Sequence, residues 1–460
     1  MPIIKQKKWI VAIILTFIAY LLRIIVHPIS IDTEVLLANP ENLIQSWESI
    51  QRVSLCFLKR IFLSLNLFEI NVLSLIILVI TYFLLANYVL TKLKKRDFSH
   101  YVLFILMMLT SLETIEAYAF TLQILEISIC YFLVIISFLG IEKIIYQKKY
   151  LYLIMVIPCL GFAFGAYQSF YLLAITLSCL FYLLNFGEDR CIFTIFKYIG
   201  IFVMAILFSM FLIRGYFKVY PTTLKSGYLT EQINYKTSVK KGVIYLGATV
   251  IYTCFGKNVI NISYLATIVL SLWYLKRKKN LLYRLSFLFL LISPFLISLL
   301  LGNYTFMRSQ FSAPVITSFV FLLLNNHKWV RKFVSIQLFY QIACVMLLFY
   351  SDNMRYFEDI RRLDEMNHFY QTNCKDETVV FIHSPHTKGL KNEMLGYSFF
   401  EWDQKSDYLS NRRIKDFAIA IKKDYPFPTL EEIVYVKENM DKYQKRYQID
   451  ENILIVNVSK

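Results

Sequence analysis

Apolar runs of membrane-crossing length alternate with short basic connections up to about residue 350, where the pattern changes character. Runs of roughly 18 to 22 residues, the length a hydrocarbon core of about 30 Å demands of a helix, fall at 9–26, 70–91, 99–117, 119–140, 150–165, 167–186, 196–214, 259–275, 283–301, 306–324 and 332–350. Pro158, Gly161 and Gly165 interrupt the stretch from 150 to 186, which reads as a hairpin of two spans. A single crossing there would break the alternation of loop charge. Between the first two spans, residues 43–65 place Leu43, Trp47, Ile50, Phe57, Leu58, Ile61 and Leu65 on one helical face. This is a helix lying along the interface, either a connector or one wall of a lipid-substrate groove. Beyond 350, strand-like runs at 378–383 (TVVFIH) and 452–458 (NILIVNV) alternate with helical stretches at 354–370, 411–423 and 429–446. The tail therefore reads as a small α/β domain.

Charge orients these elements. Lys5, Lys7 and Lys8 precede the first span, Lys92, Lys94, Lys95 and Arg96 follow the second, and basic residues recur at every second connection. The positive-inside rule puts the amino terminus in the cytoplasm and the tail outside. The fold class is thus an α-helical polytopic membrane protein of about 11 transmembrane helices with a small extracytoplasmic α/β C-terminal domain. Its domains are 1–350, with outer loops 27–69 and 215–258, and 351–460. Hydrophobic residues make up 57% of the chain and mean hydropathy is +0.52, which excludes a soluble domain. The net charge of +17 lies mainly in the short loops and the tail, as an orientation signal rather than a nucleic-acid surface. The first span is too long for a signal-peptide core and lacks a small-residue cleavage site, so it is expected to be retained in a multi-pass plasma-membrane protein. Arg23 falls near its outer end, where an arginine reaches lipid headgroups.

Candidate chemistry gathers on the outer face. Asp32 and Glu34, in HPISIDTEV, are two apart; in an extended segment they point the same way, about 7 Å apart. A carboxylate at a partly dehydrated boundary is a candidate general base, because desolvation raises its proton affinity; the alternative is an N-cap or a solvated loop charge. Glu113 and Glu116 share a helix face. Gln168 offers a neutral amide at an outer turn. Arg214 and Arg308 sit at outer span ends, where a guanidinium either snorkels or meets a lipid phosphate. The loop from Gly215 to about 258 is rich in Tyr and Lys, suited to sugar stacking and phosphate contact or to an aromatic belt. His383 and His386 read as loop residues. The eight cysteines show neither CxxC nor Cys/His ligand spacing, so no zinc site or disulfide framework is expected. A divalent metal at the outer carboxylates is left open.

The order of short motifs resembles a known family. A carboxylate loop after the first span, Trp47 and Arg52 in SWESIQRVSLCFLKRIF, Tyr167 and Gln168 after a glycine, Arg308 opening a late span, and a tail beginning SDNMRYFEDIRRLDEMN together look like the Gtr type II glucosyltransferases, polytopic enzymes of the GT-C class. Gln51 stands where that family usually has a glycine before the helix arginine. The resemblance implies a GT-C-like bundle that moves a glucosyl or related hexosyl group from a polyprenyl-phosphate sugar to a cell-surface polysaccharide or other glycan acceptor. It implies Asp32 as base or acceptor-positioning group, Glu34 as its alternative, and Arg308 as a phosphate contact. Donor lipid, acceptor glycan and membrane lipid are the expected partners, with no nucleic acid and no resident cofactor. A flippase of lipid-linked glycans would carry ionisable or broken-helix signals at the bilayer midplane, often in repeated halves. A polysaccharide polymerase or ligase would share the one-sided outer site but use a pyrophosphate-linked donor.

Overall fold

The computed structural model describes residues 2–186, 193–221, 239–255, 259–301, 305–383, 389–401, 407–423 and 425–459. His386 and parts of the 215–258 segment lie outside the described residues. The chain forms two compact units, residues 1–25 with 44–346 and residues 26–43 with 347–460. In chain order the helices are α1 (Pro2–Val26), α2 (Thr33–Ala38), α3 (Pro40–Ser49), α4 (Val53–Phe62), α5 (Leu67–Lys92), α6 (Phe98–Leu109), α7 (Leu112–Ala119), α8 (Ile124–Gln147), α9 (Leu153–Phe164), α10 (Ser169–Leu184) and α11 (Phe193–Val219). They continue with α12 (Val239–Phe255), α13 (Ile262–Leu275), α14 (Leu281–Ile292), α15 (Leu296–Leu301), α16 (Ala313–Leu324), α17 (Lys328–Asn373), α18 (Asp407–Ala420) and α19 (Leu430–Glu438). Three strands, β1 (Thr378–Ile382), β2 (Tyr447–Asp450) and β3 (Ile453–Asn457), complete the set.

Among the described residues six helical segments are long and apolar enough to cross a membrane: 7–26 of α1, α5, α8, α11, residues 281–299, and α17. The α6–α7 pair, bent by 54°, makes a seventh if it counts as one broken span. Four further apolar helices, Tyr150–Phe164, α10, α13 and α16, are shorter. Each expected run falls on one of these segments, and the 150–186 stretch is two helices. The Tyr- and Lys-rich loop differs from expectation, because it contains α12, which packs on α15 and α13.

Two expectations change in the first unit. Arg23 does not reach headgroups: it is fully buried, and its Nη2 donates to the carbonyl of Ala119 at 3.1 Å. That carbonyl closes α7, where the last helical C=O groups have no intrahelical donor and carry the negative end of the helix dipole. One turn earlier, the Tyr20 hydroxyl donates to the carbonyl of Leu109, the last residue of α6, at 2.7 Å. α1 therefore caps both carboxyl ends of the broken helix. The single interfacial helix is likewise two, α3 and α4, broken at Gln51, whose φ of 61° is left-handed. This is the position the resemblance associates with glycine, and only glycine adopts that backbone without a steric penalty.

In the second unit, β1 runs parallel to β3 and β2 antiparallel to it, in the order β1-β3-β2. Val380, Ile382, Ile453 and Ile455 pack beneath Ile433 and Val436 of α19 and Tyr443. A capping box of Thr429 and Glu432 starts α19. The expected helix 429–446 stops at Glu438, and β2, which was not anticipated, follows. The last span and the first tail helix are one 46-residue helix, α17, with no proline or glycine to stop it.

The charged face of α17 organises this unit. Asp352, Arg355, Asp359 and Arg362, spaced 3, 4 and 3 apart, fall on one helix face. Buried Arg355 contacts Asp352 Oδ1 at 2.8 Å and Asp359 Oδ2 at 3.7 Å, and donates to the Ile29 carbonyl at 3.2 Å. Asp352 accepts from the Gly396 amide at 3.0 Å, and Asp359 from the Ser398 hydroxyl at 2.6 Å and the Phe399 amide at 3.1 Å. Gly396 has a φ of 81°, and a Cβ there would collide with the Leu390 carbonyl.

Two stability outcomes follow from this geometry. Arg355→Met removes the cation shared by two buried carboxylates, of which Asp359 keeps Arg362 at 3.3 Å, and is expected to cost about 3 to 5 kcal/mol, read as a lower melting temperature and faster proteolysis of the tail. Gln51→Gly is expected to be neutral or stabilising by up to about 1 kcal/mol, whereas Gln51→Val destabilises by about that amount in the same melts.

Candidate active site

The carboxylate segment is not extended. Ser30 starts a turn, with the Thr33 amide donating to the Ser30 carbonyl at 2.9 Å and the two hydroxyls 2.7 Å apart. Asp32, at the N-cap of α2, is left-handed with a φ of 71°, and Glu34 lies in the first helical turn. On a regular helix these side chains would diverge. Here they converge, because Arg413 Nη1, from α18, lies 2.7 Å from Asp32 Oδ1 and 2.8 Å from Glu34 Oε1. α18 packs along α2 within the second unit. The Asp32 side chain is 34% exposed and that of Glu34 is 0% exposed. Glu34 Oε2 is buried without a hydrogen-bond partner among the described residues. Burial first, then the charge of Asp32, pushes the Glu34 carboxyl up to about 8, while Arg413 pulls it down.

Arg413 was not legible as a site residue. It is one of two arginines in NRRIKD, 379 residues from Glu34. The one available signal was physical: two carboxylates drawn out of water require a cation.

In the first unit, Arg52, Tyr167 and Arg308 come together. The Arg52 guanidinium lies over the Tyr167 ring, 4.2 Å from its centroid, and the Tyr167 hydroxyl pairs with the Ser309 hydroxyl at 3.1 Å. Neighbouring Arg308, in a 3₁₀ turn from Met307 to Ser309, stands over Phe306 at 4.5 Å and Phe120 at 4.9 Å. Gly165 makes this approach possible: its carbonyl accepts from the Ser54 amide at 3.2 Å, and a Cβ on it would meet Ser54 Oγ at 2.6 Å. Stacking on a ring orients a guanidinium through its face. Sequence reasoning missed Ser309 and two ion contacts on the interfacial helices. Lys59 Nζ lies 2.7 Å from Glu126 Oε1, both buried, and Arg60 lies 3.3 Å from Glu48, which also accepts from the Tyr216 hydroxyl at 2.6 Å.

Of the remaining candidates, Glu113 and Glu116 lie on α7, which packs on the Met307–Ser309 turn of Arg308. Trp47 is buried, with Lys59 Nζ 6.0 Å from its ring centroid. Glu113 and Glu116 are buried on α7, and Glu113 accepts from Asn261 Nδ2 at 2.7 Å. Gln168 precedes α10 and makes no capping bond, while Arg214 is exposed on α11. His383 follows β1 as an exposed residue with a φ of 59°. Among the described residues no group of three or more His, Cys, Asp or Glu side chains could hold a metal ion.

Apolar helices of spanning length, with buried ionisable groups paired or stacked on aromatics, define a helical polytopic membrane protein. The chain belongs to the family described as Glucosyl transferase GtrII, whose model matches residues 19–325, more than half of its length. It is therefore placed among membrane glucosyltransferases, as the motif order implied. No curated protein and no solved structure matches the chain. Arg355 and Arg413 lie beyond the matched residues.

The raised Glu34 carboxyl has a definite sign for stability. A carboxyl that binds its proton more tightly when folded contributes stability that is complete below its unfolded value, near 4.5, and is lost as pH rises through about 8. Wild type is expected to lose on the order of a few kcal/mol between pH 5 and pH 9 from this group, and Glu34→Gln to lose little of it. Thermal melts of both proteins across that range provide the comparison.

Proposed function

We propose that the protein transfers a glucosyl or related hexosyl group from a polyprenyl-phosphate sugar to a polysaccharide or other glycan at the outer face of the plasma membrane. The observation that carries this reading is a pair of carboxylates held on one guanidinium nitrogen, in a chain of a glucosyl transferase family. In this reading the chain is a GT-C-like enzyme that crosses the membrane eleven times, with its amino terminus in the cytoplasm and residues 351–460 outside. Alternating basic loops support that orientation.

Roles are assigned residue by residue. Arg308, with Arg52, neutralises the donor phosphate; Tyr167, through Ser309, holds that arginine turn. Asp32 or Glu34 accepts the proton of the acceptor hydroxyl as that oxygen bonds to the anomeric carbon. The bond from that carbon to the phosphate oxygen breaks, and its electron pair leaves on the phosphate. A phosphate leaves readily, so no strong general acid is required. Base catalysis contributes roughly 10²- to 10⁴-fold, and positioning of donor and acceptor supplies much of the rest. Trp47, Gln168 and Arg214 are assigned to the lipid and sugar of the substrate. Glu113 and Glu116 are assigned to substrate support, through Asn261 in the case of Glu113.

The test is sugar transfer by purified protein in lipid vesicles supplied with polyprenyl-phosphate hexoses. Transfer from a monosaccharide donor is expected, reduced by about 10²-fold or more in Asp32→Asn or Glu34→Gln, with a raised KM for donor in Arg308→Ala. Full activity in both carboxylate variants would overturn the base assignment. Translocation without transfer would put a flippase in its place, and use of a pyrophosphate-linked oligosaccharide alone a polymerase or ligase.

A further inference from the structure

We propose that Arg413 is the positioning residue of the carboxylate pair, a fixed cation that divides the pair into a reacting group, Asp32, and a supporting group, Glu34. The inference rests on the transferase reading for its kinetic consequences and on geometry alone for its assignment.

Four observations point to this division. One nitrogen, Arg413 Nη1, is within 2.8 Å of an oxygen on each carboxyl group, so both are held by the same guanidinium. Exposure separates them: a third of the Asp32 side chain is accessible, whereas Glu34 has no accessible surface through which to meet a substrate hydroxyl. The free oxygen of Glu34, Oε2, is buried without a partner among the described residues, which suits a carboxyl that keeps its proton. Finally, the segment is fixed on its backbone side as well, by Arg355 at the Ile29 carbonyl. The left-handed backbone of Asp32 is thereby held between two arginines.

Among the described residues, several charges bear on the pair or lie beside it. Asp32 raises the proton affinity of Glu34 and Arg413 lowers it. On α18, Asp416 lies in the field of Arg412, Arg413 and Lys415. Arg355 is neutralised by Asp352 and Asp359. With Arg413 intact, the accessible Asp32 is held where it can take the acceptor proton, and Glu34 supports it from beneath. Without Arg413, two carboxyls in contact cannot both ionise, and the proton moves onto the pair at a higher pH.

The test combines kinetics with a probe that does not require transfer. In the vesicle assay, Arg413→Met is expected to lower kcat by about 10²-fold, with little change in KM for donor and with the acid limb of the pH profile moved upward by about one unit. Arg413→Lys keeps the charge and is expected to stay within about tenfold of wild type. Glu34→Gln is expected to retain at least about ten times the activity of Asp32→Asn. Separately, infrared spectra of the purified full-length protein are recorded across pH 5 to 9, and the protonated-carboxyl band that disappears in Glu34→Gln is assigned to Glu34. That band is expected at neutral pH in wild type, with its midpoint raised in Arg413→Met. Absence of the band at neutral pH, an unmoved midpoint in Arg413→Met, or Asp32→Asn more active than Glu34→Gln would overturn the proposal. A moved midpoint in a protein without transfer activity would overturn the transferase reading and leave the clamp standing; normal transfer and an unmoved midpoint in Arg413→Met would do the reverse.

Discussion

Buried charge must be paired, and in the second unit that constraint is met by Arg355. Its guanidinium sits between Asp352 and Asp359 on α17 and donates to the Ile29 carbonyl, while the same two aspartates accept from Gly396, Ser398 and Phe399. One helix face thus fixes both a distant loop and the turn that follows β1. Such networks are costly to half-break, since removing one partner strands the others in a poorly solvated interior. The positions of the carboxylate segment and of the tail's aromatic core, with Phe399 stacked on Phe417, derive from it.

The first unit solves a different problem with the same chemistry. A helix broken at Thr110 and again after Ala119 presents carbonyls that water cannot satisfy inside a bundle, and α1 supplies Tyr20 and Arg23 to them. Cations elsewhere are backed by rings: Arg52 by Tyr167, Arg308 by Phe120 and Phe306. A ring face orients a guanidinium through stacking. The Lys59–Glu126 pair is a different case, two charges that neutralise each other in a buried setting and so serve to hold α4 against α8.

In the proposed reaction, cations serve a phosphate that departs and a carboxylate serves a proton that must be accepted. The proposed roles require little else, because the leaving group is already stable as an anion.

The sequence by itself determined the class and the list of apolar segments, because the need to satisfy backbone groups in lipid writes itself as long apolar runs with basic flanks. It also determined β1 and β3 to within two residues, a helix over 354–370, and the motif order that led to the family. The tertiary structure alone decided where lone polar groups go. Arg23 looked like a headgroup anchor and is a helix cap; Asp32 and Glu34 looked extended and instead bracket a helix start; and α12 was hidden in a segment read as loop. Arg413 is the clearest instance, since nothing local distinguishes it from Arg412, and its role exists only because α18 packs on α2. Periodicity reports which face of an element is buried, but the partner of a buried charge is chosen by packing between segments far apart in the chain.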